Sequence, residues 1–270
     1  MAKIAISNLA WQKSEDEQVF DVMRDFGVSG LEISPFRDAI TIAEAKKHFD
    51  GKTSKLLNHY GIHIVAFQAS MFRYPEVSLF KDEVTRSGMF EHLENVLEFA
   101  NKVGATVVVF GSPKNKIKGK LLYDEAVDIA KDFFKKLAER AKVLDVTFCI
   151  EPTPSIYGAD FICNTQEAVD FVRVVGHESL KINLDIGSSI LNNERIDEIV
   201  TGNIEYIGHV HVSNPYLRAI NLNRSFHQSI AVALKASNYE GIVSVEMLPS
   251  DKPDIKKISE TISFVRDIYQ

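Results

Sequence analysis

The chain has 270 residues, 45% of them hydrophobic, with 31 Lys and Arg against 37 Asp and Glu and a formal net charge of -6. That length supports a large core in one α/β barrel or in two small domains, and the acidic balance disfavours nucleic acid and anionic membrane surfaces, which demand a basic face. A charged-then-apolar leader and an apolar run long enough to span a bilayer are both missing, and the two cysteines, Cys149 and Cys163, read as free thiols; a cytoplasmic protein without a membrane partner is expected.

Short β-type runs alternate with helical patterns along the chain: KIAIS at 3–7, GLEIS at 30–34, HIVAFQ at 63–68, TVVVF at 106–110, TFCIE at 147–151, KINLD at 181–185, IGHVH at 207–211 and VSVE at 243–246. Between them, apolar residues three and four apart mark amphipathic helices, as in Phe20, Val22, Met23 and Phe26, or Phe90, Leu93, Val96, Leu97 and Ala100. Gly27, Gly61 and Gly104 fall between a helical stretch and the next strand, where a left-handed C-terminal residue is needed. Strict βα alternation predicts a parallel sheet with right-handed crossovers, and eight units close a single (β/α)8 barrel over residues 1–270; an open doubly wound sheet is the alternative with the same pattern. The longest irregular segments, Ser70 to Arg86 and Tyr216 to Arg224, follow strands and would overhang the same end of a barrel.

In such a barrel the strand-terminal residues face the rim on which active sites are built. Here they are polar: Glu32 near the end of the second run, Gln68 ending the third, then Glu151, Asp185, His211 and Glu246 ending the fifth to eighth. Residues two apart share a face, so Cys149, Asn183, His209 and Ser244 lie one layer deeper on the same side. Glu151, Asp185, His211 and Glu246 thus form a candidate shell for one divalent cation. Three carboxylates and one imidazole suit Mn²⁺, Mg²⁺ or Co²⁺ better than structural zinc, and Zn²⁺ stays open. Without a cation, mutual repulsion would leave at least one carboxyl protonated. Taken singly, a strand-ending acid is a solvated loop residue or a helix N-cap, a role that Asp185 before Ile186-Gly187-Ser188-Ser189 also suits. His209 and Asn183 read as supporting partners behind the ligands. For substrate, the loops offer Gln68, Lys114, Tyr157, Arg218 and His227, the two cations being able to pair with a phosphate or carboxylate, while Trp11 and Phe72 could wall the apolar side of a sugar.

The segments Glu151-Pro152, Leu184-Asp185-Ile186-Gly187, His209-Val210-His211-Val212-Ser213 and Ser244-Val245-Glu246-Met247, with Ala5 to Trp11 at the N-terminus, resemble the xylose isomerase-like TIM barrels, which include the sugar phosphate isomerases/epimerases and the ketose 3-epimerases. The resemblance implies that Glu151, Asp185, His211 and Glu246 bind a divalent metal, commonly Mn²⁺, and that Glu151 and Glu246 act as the acid/base pair. It further implies a small-molecule sugar substrate, proton transfer through an enediolate, and a homo-oligomer paired through outer helices.

The chain departs from the 3-epimerase pattern at Ser188, where those enzymes carry a histidine, and in Pro154 to Asp160 and Asn214 to Arg218, where they carry further glutamates. Those positions contact substrate, so a less characterised branch with different recognition is expected. A metal-dependent dehydratase or lyase on an inosose- or keto-sugar-like substrate shares the same acid/base logic. A non-catalytic sugar-binding barrel is a third reading. An endonuclease IV-like nuclease is disfavoured, because Gln68, Gly111-Ser112 and Ser188 stand where its extra zinc-binding histidines belong.

Overall fold

Runs as uniformly apolar as Val107–Phe110 and Phe148–Ile150 make sense only if both faces of each strand are covered, and the structure covers them in this way. The structure, a computed structural model, describes residues 2–270. Eight parallel strands close in sequence order, β1 (Lys3–Ser7), β2 (Gly30–Ile33), β3 (His63–Phe67), β4 (Val107–Phe110), β5 (Thr147–Ile150), β6 (Leu180–Asp185), β7 (Ile207–Val212) and β8 (Ile242–Val245), with β8 pairing back to β1. The open-sheet alternative is thereby excluded.

Helices wrap the barrel: α1 (Asp16–Asp25), α2 (Ile42–His48), α3 (Ser54–Tyr60), α4 (Glu83–Lys102), α5 (Tyr123–Val143), α6 (Thr165–Val175), α7 (Ile186–Leu191), α8 (Ile196–Asn203), α9 (Arg224–Ala236) and α10 (Ile255–Tyr269). Their apolar stripes pack on the outward strand residues in one continuous core that includes Ile6, Phe67, Leu93, Phe134, Phe148, Val172 and Val265. A separate small cluster of Ala5, Ala66, Val107, Val109, Cys149 and Ile242 fills the lumen. Gly27, Gly61 and Gly104 hold left-handed φ values of 67°, 66° and 83° in the helix-to-strand turns, as their positions predict.

The strands end one residue earlier than expected at Gln68, Glu151 and Glu246. Each of these still donates its backbone N–H across the seam, to Ile33 at 2.9 Å, Phe110 at 2.9 Å and Val212 at 3.0 Å. The rim residues are therefore held by the ladder while their side chains leave the sheet.

Two register shifts break the regular pairing, between Leu31 and Glu32 against β3 and between Ile182 and Asn183 against β7. In the second, Ile182 pairs with Ile207 and Asn183 with His209, so Gly208 is the extra residue. The bulge changes the phase of β7. Ile207, Val210 and Val212 belong to the outer core, whereas His209 and His211 face Glu32 across the lumen. Only glycine fits the bulge, because a β-carbon at 208 would stand 2.7 Å from Lys181 Cβ and 2.8 Å from Cys149 Sγ. Gly208→Ala is predicted to lower stability by about 1–3 kcal/mol through overpacking, measured by denaturant unfolding; an unchanged midpoint would contradict this account of the bulge.

Candidate metal and substrate site

The four expected ligands converge. From the rim of β7, His211 turns Nδ1 toward Glu246 Oε2 at 3.1 Å and Glu151 Oε2 at 3.4 Å. Asp185, His211 and Glu246 each present a ligand atom within 4.8 Å of the others. Asp185 also caps α7, accepting the Ser188 N–H at 2.6 Å, and takes a hydrogen bond from the Ser213 hydroxyl. Its capping role and its place in the cluster are thus compatible, because each carboxylate oxygen has a second lone pair.

Burial makes this cluster electrostatically costly. It raises the Asp185 pKa above the usual carboxylate value, with help from the Glu151 charge. It also pushes Glu246 up to about 7, against the pull of His211. For His211, burial opposes the charged imidazolium, but the carboxylates of Glu32, Glu246 and Glu151 outweigh it and lift its pKa well above normal. Three acceptor-only carboxylates facing one imidazole nitrogen fit a hard divalent cation, which would neutralise the repulsion that the fold imposes.

Behind the cluster, Asn183 donates to Glu151 Oε2 at 2.7 Å and lies 3.0 Å from His211 Nδ1. His209 sits one layer deeper, fully buried, with Nε2 3.2 Å from Glu32 Oε1 but poorly aimed at it for a hydrogen bond. Both lie one layer behind the candidate ligands, at the positions two residues before Asp185 and His211. Gly111 lets Glu151 approach the end of β4: a β-carbon there would stand 2.6 Å from Glu151 Oε1.

Two cavities open onto the cluster. One, of about 510 Å³, is bounded among others by Leu9, Phe36, Gln68, Met71, Phe72 and Leu248. The other, of about 450 Å³, is bounded by Thr153, Tyr157, Asp185, Ser188, Asn214 and Tyr216. Glu151 and Glu246 line both, together with Pro113 and Leu217. The segments that overhang this mouth are those expected, with Ala69 to Arg73 after β3 and Leu217 after β7.

Among the residues expected to meet substrate, Gln68 and Tyr157 line the cavities. Gln68 donates to Ser7, and the Tyr157 hydroxyl accepts the Tyr216 N–H at 2.8 Å. Lys114 is exposed and lines neither cavity, and Arg218, also exposed, lays its guanidinium over the outer face of Tyr216, 5.4 Å from the ring centre. His227 lies away from the mouth, bonded to the Tyr269 hydroxyl at 2.7 Å and to the Asn221 carbonyl at 2.9 Å. It braces α9 against α10. Trp11 is likewise drawn into the core, donating to Asp16 at 2.8 Å, so of the two proposed apolar walls only Phe72, 67% exposed, borders the mouth.

Sequence reasoning overlooked Lys116, which is fully buried and donates from Nζ to the Glu151 carbonyl at 2.7 Å. Burial lowers its pKa to about 8. Nothing in Lys114-Asn115-Lys116 distinguishes the buried lysine from the exposed one. The side chain of Asn115 turns that loop inward by donating to the Tyr74 and Val77 carbonyls, both at 2.8 Å.

Comparison with known proteins agrees with the geometry. A D-psicose 3-epimerase from Ruminiclostridium cellulolyticum is 28% identical over 113 residues, 42% of this chain and 38% of that protein, so the match spans well under half of the relative's length. Among solved structures, a 3-keto-D-glucoside 4-epimerase from E. coli superposes with a TM-score of 0.78 at 16% identity, covering 99% of this chain and 100% of the other. A D-psicose 3-epimerase from Clostridium cellulolyticum, solved with D-tagatose, gives 0.74 at 19% identity over 99% of both chains. At such identities the superpositions establish a shared fold. The family described as xylose isomerase-like TIM barrel matches residues 20–268, a span that takes in seven of the eight strands and all four candidate ligands, and the chain belongs to that family.

Proposed function

We propose that this protein is a divalent-metal-dependent enzyme that epimerises or isomerises an uncharged sugar or sugar derivative, with Glu151 and Glu246 as its acid/base pair and Mn²⁺ as the preferred ion. The observation that carries this reading is that both glutamates line both cavities and approach the same His211 nitrogen, at 3.4 and 3.1 Å. A substrate spanning the two compartments would have its central carbons between two carboxylates. The residues that would hold the ion are Glu151, Asp185, His211 and Glu246. When bound, a divalent cation acidifies the C–H next to a carbonyl by withdrawing charge from neighbouring oxygens.

The remaining steps belong to the chain. One glutamate, as carboxylate, takes the proton from carbon. The other, protonated, returns it. Return to the same carbon on the opposite face inverts that centre, and return to the adjacent carbon moves the carbonyl. In the metal-free protein burial favours the protonated form of Glu246. Asn183 steadies Glu151 through its side-chain oxygen, and Lys116 does so through its main chain.

The cavity walls favour an uncharged ligand. Arg37 is committed to Asp16 through two contacts of 3.1 Å, to Asp38 at 3.1 Å and to the Asn8 carbonyl at 2.9 Å. Arg73 stacks on Phe72, with 5.3 Å to the ring centre, at the exposed rim. Leu9, Met71, Phe72, Leu217 and Leu248 supply apolar surface suited to the C–H face of a sugar.

Three outcomes are expected. In deuterated buffer, Mn²⁺-loaded enzyme should exchange a carbon-bound proton of a neutral ketose or keto-sugar, and Glu151→Gln or Glu246→Gln should each slow exchange by about 10²–10⁴-fold. Full exchange in both variants would remove them from the chemistry. The phosphate ester of the same sugar should show a higher KM than the free sugar, and tighter handling of the ester would overturn the uncharged-substrate reading.

The third outcome concerns pH. Because the folded-state pKa of Glu246 is raised from 4.5 to about 7, metal-free protein loses stability as pH climbs through that interval. The raised Asp185 acts in the same sense above its ordinary 3.8, and His211 contributes stability that is complete below 6.5 and lost as pH rises through its higher folded value. Glu32, whose pKa is lowered, works oppositely and withdraws stability on acidification below 4.5. His209, His92 and His227, whose pKa values burial lowers, oppose this loss below about pH 6.5. The Tm advantage of chelator-stripped wild type over Glu246→Gln should therefore shrink from about pH 5 to about pH 7.5, and added Mn²⁺ should raise the wild-type Tm more at the higher pH. An advantage that grows over that range would contradict the assignment.

A further inference from the structure

Glu32 lies on the opposite side of the lumen from β7, with β8 and β1 between on one side, yet its carboxylate meets both histidines of that strand. Its two oxygens stand 3.1 and 3.2 Å from His211 Nε2, and Oε1 stands 3.2 Å from His209 Nε2. All three side chains are 0% exposed.

We infer that Glu32 is a positioning residue that selects which nitrogen of His211 is offered to a divalent ion; the inference rests on the metal reading above. A carboxylate only accepts hydrogen bonds, so the imidazole nitrogen between its two oxygens carries the hydrogen. In a neutral ring that leaves the lone pair on Nδ1, the atom that faces Glu246 and Glu151. Glu32 also adds negative charge behind the ring and strengthens Nδ1 as a donor.

The backbone supports this assignment independently. Glu32, which meets His211 at Nε2, and Asn183, which donates to Glu151 beside Nδ1, each follow immediately after a register shift, at Leu31/Glu32 and Ile182/Asn183. Each shift places an unpaired residue on the neighbouring strand, Val65 on β3 and Gly208 on β7. The Gly208 bulge re-phases β7 itself: without it, alternation from the outward Ile207 would turn His209 and His211 away from the lumen. The barrel is irregular at the positions that orient one imidazole.

The test uses Mn²⁺ alone, titrated calorimetrically into chelator-stripped wild type, Glu32→Gln, Glu32→Asp and Glu32→Leu. Gln is isosteric but can turn its NH₂ toward Nε2 and favour the wrong tautomer, and Leu removes the acceptor. Both should weaken Mn²⁺ binding by about 10–100-fold, with Asp intermediate. A second measurement needs no variant: ¹⁵N spectra of wild type loaded with diamagnetic Mg²⁺ or Zn²⁺ should show His211 protonated at Nε2 and ligated at Nδ1. Glu32→Gln binding Mn²⁺ within about threefold of wild type, or a wild-type His211 protonated at Nδ1, overturns the inference while leaving the metal reading standing. Wild type that binds no divalent ion overturns both.

Discussion

Three carboxylates gathered around one imidazole at the mouth of the barrel form the constraint from which the rest of the site follows. Each carboxylate comes from a different strand, and like charges that the fold forces together are tolerable only with a proton, a facing imidazolium or a cation between them. His211 supplies part of the answer, meeting Glu246 and Glu151 on one edge and Glu32 on the other. The raised pKa values of Asp185 and Glu246 and the lowered pKa of Glu32 express one arrangement: the acids near the mouth are buried beside one another, whereas the acid in the lumen lies against the rings of His211 and His209.

The backbone features around the site serve that arrangement. The Gly208 bulge brings His209 and His211 to the lumen, and the absent side chain at Gly111 gives Glu151 room beside β4. Lys116 ties the Glu151 carbonyl from beneath a loop that Asn115 fastens to the β3–α4 connection. Such close approaches leave little freedom for the ligand set to drift, as a site working by charge placement requires. Two cavities then meet at the glutamates, one largely apolar and the other edged by Tyr157, Tyr216 and Asn214, so a ligand spanning both would face different chemistry on either side of them.

The residues that sequence reasoning assigned to substrate divide by how much local pattern determines side-chain direction. Gln68 continues a strand and is held by its ladder bond, so its inward aim follows from alternation. Lys114, Arg218 and His227 sit on loops or on a helix, where direction depends on packing. Lys114 points to solvent, Arg218 lies outside Tyr216, and His227 finds two buried partners between α9 and α10. Trp11 likewise pairs with Asp16 and the edge of Phe20 in the core.

The sequence by itself determined the barrel and the cluster of rim residues, because both rest on short-range periodicity: eight strand runs alternate with amphipathic helices, and a period of two places Glu151, Asp185, His211 and Glu246 at one height at successive strand ends. It also placed Asn183 and His209 one layer behind. Tertiary structure alone decided that Glu32 belongs with His211, 179 positions away in the chain, and that Lys116 rather than Lys114 is the lysine drawn inward. The reason is physical. Alternation tells which face a strand residue takes, but a bulge such as Gly208 changes that phase, and the partner that meets a side chain across a closed lumen is fixed only when all eight strands have closed.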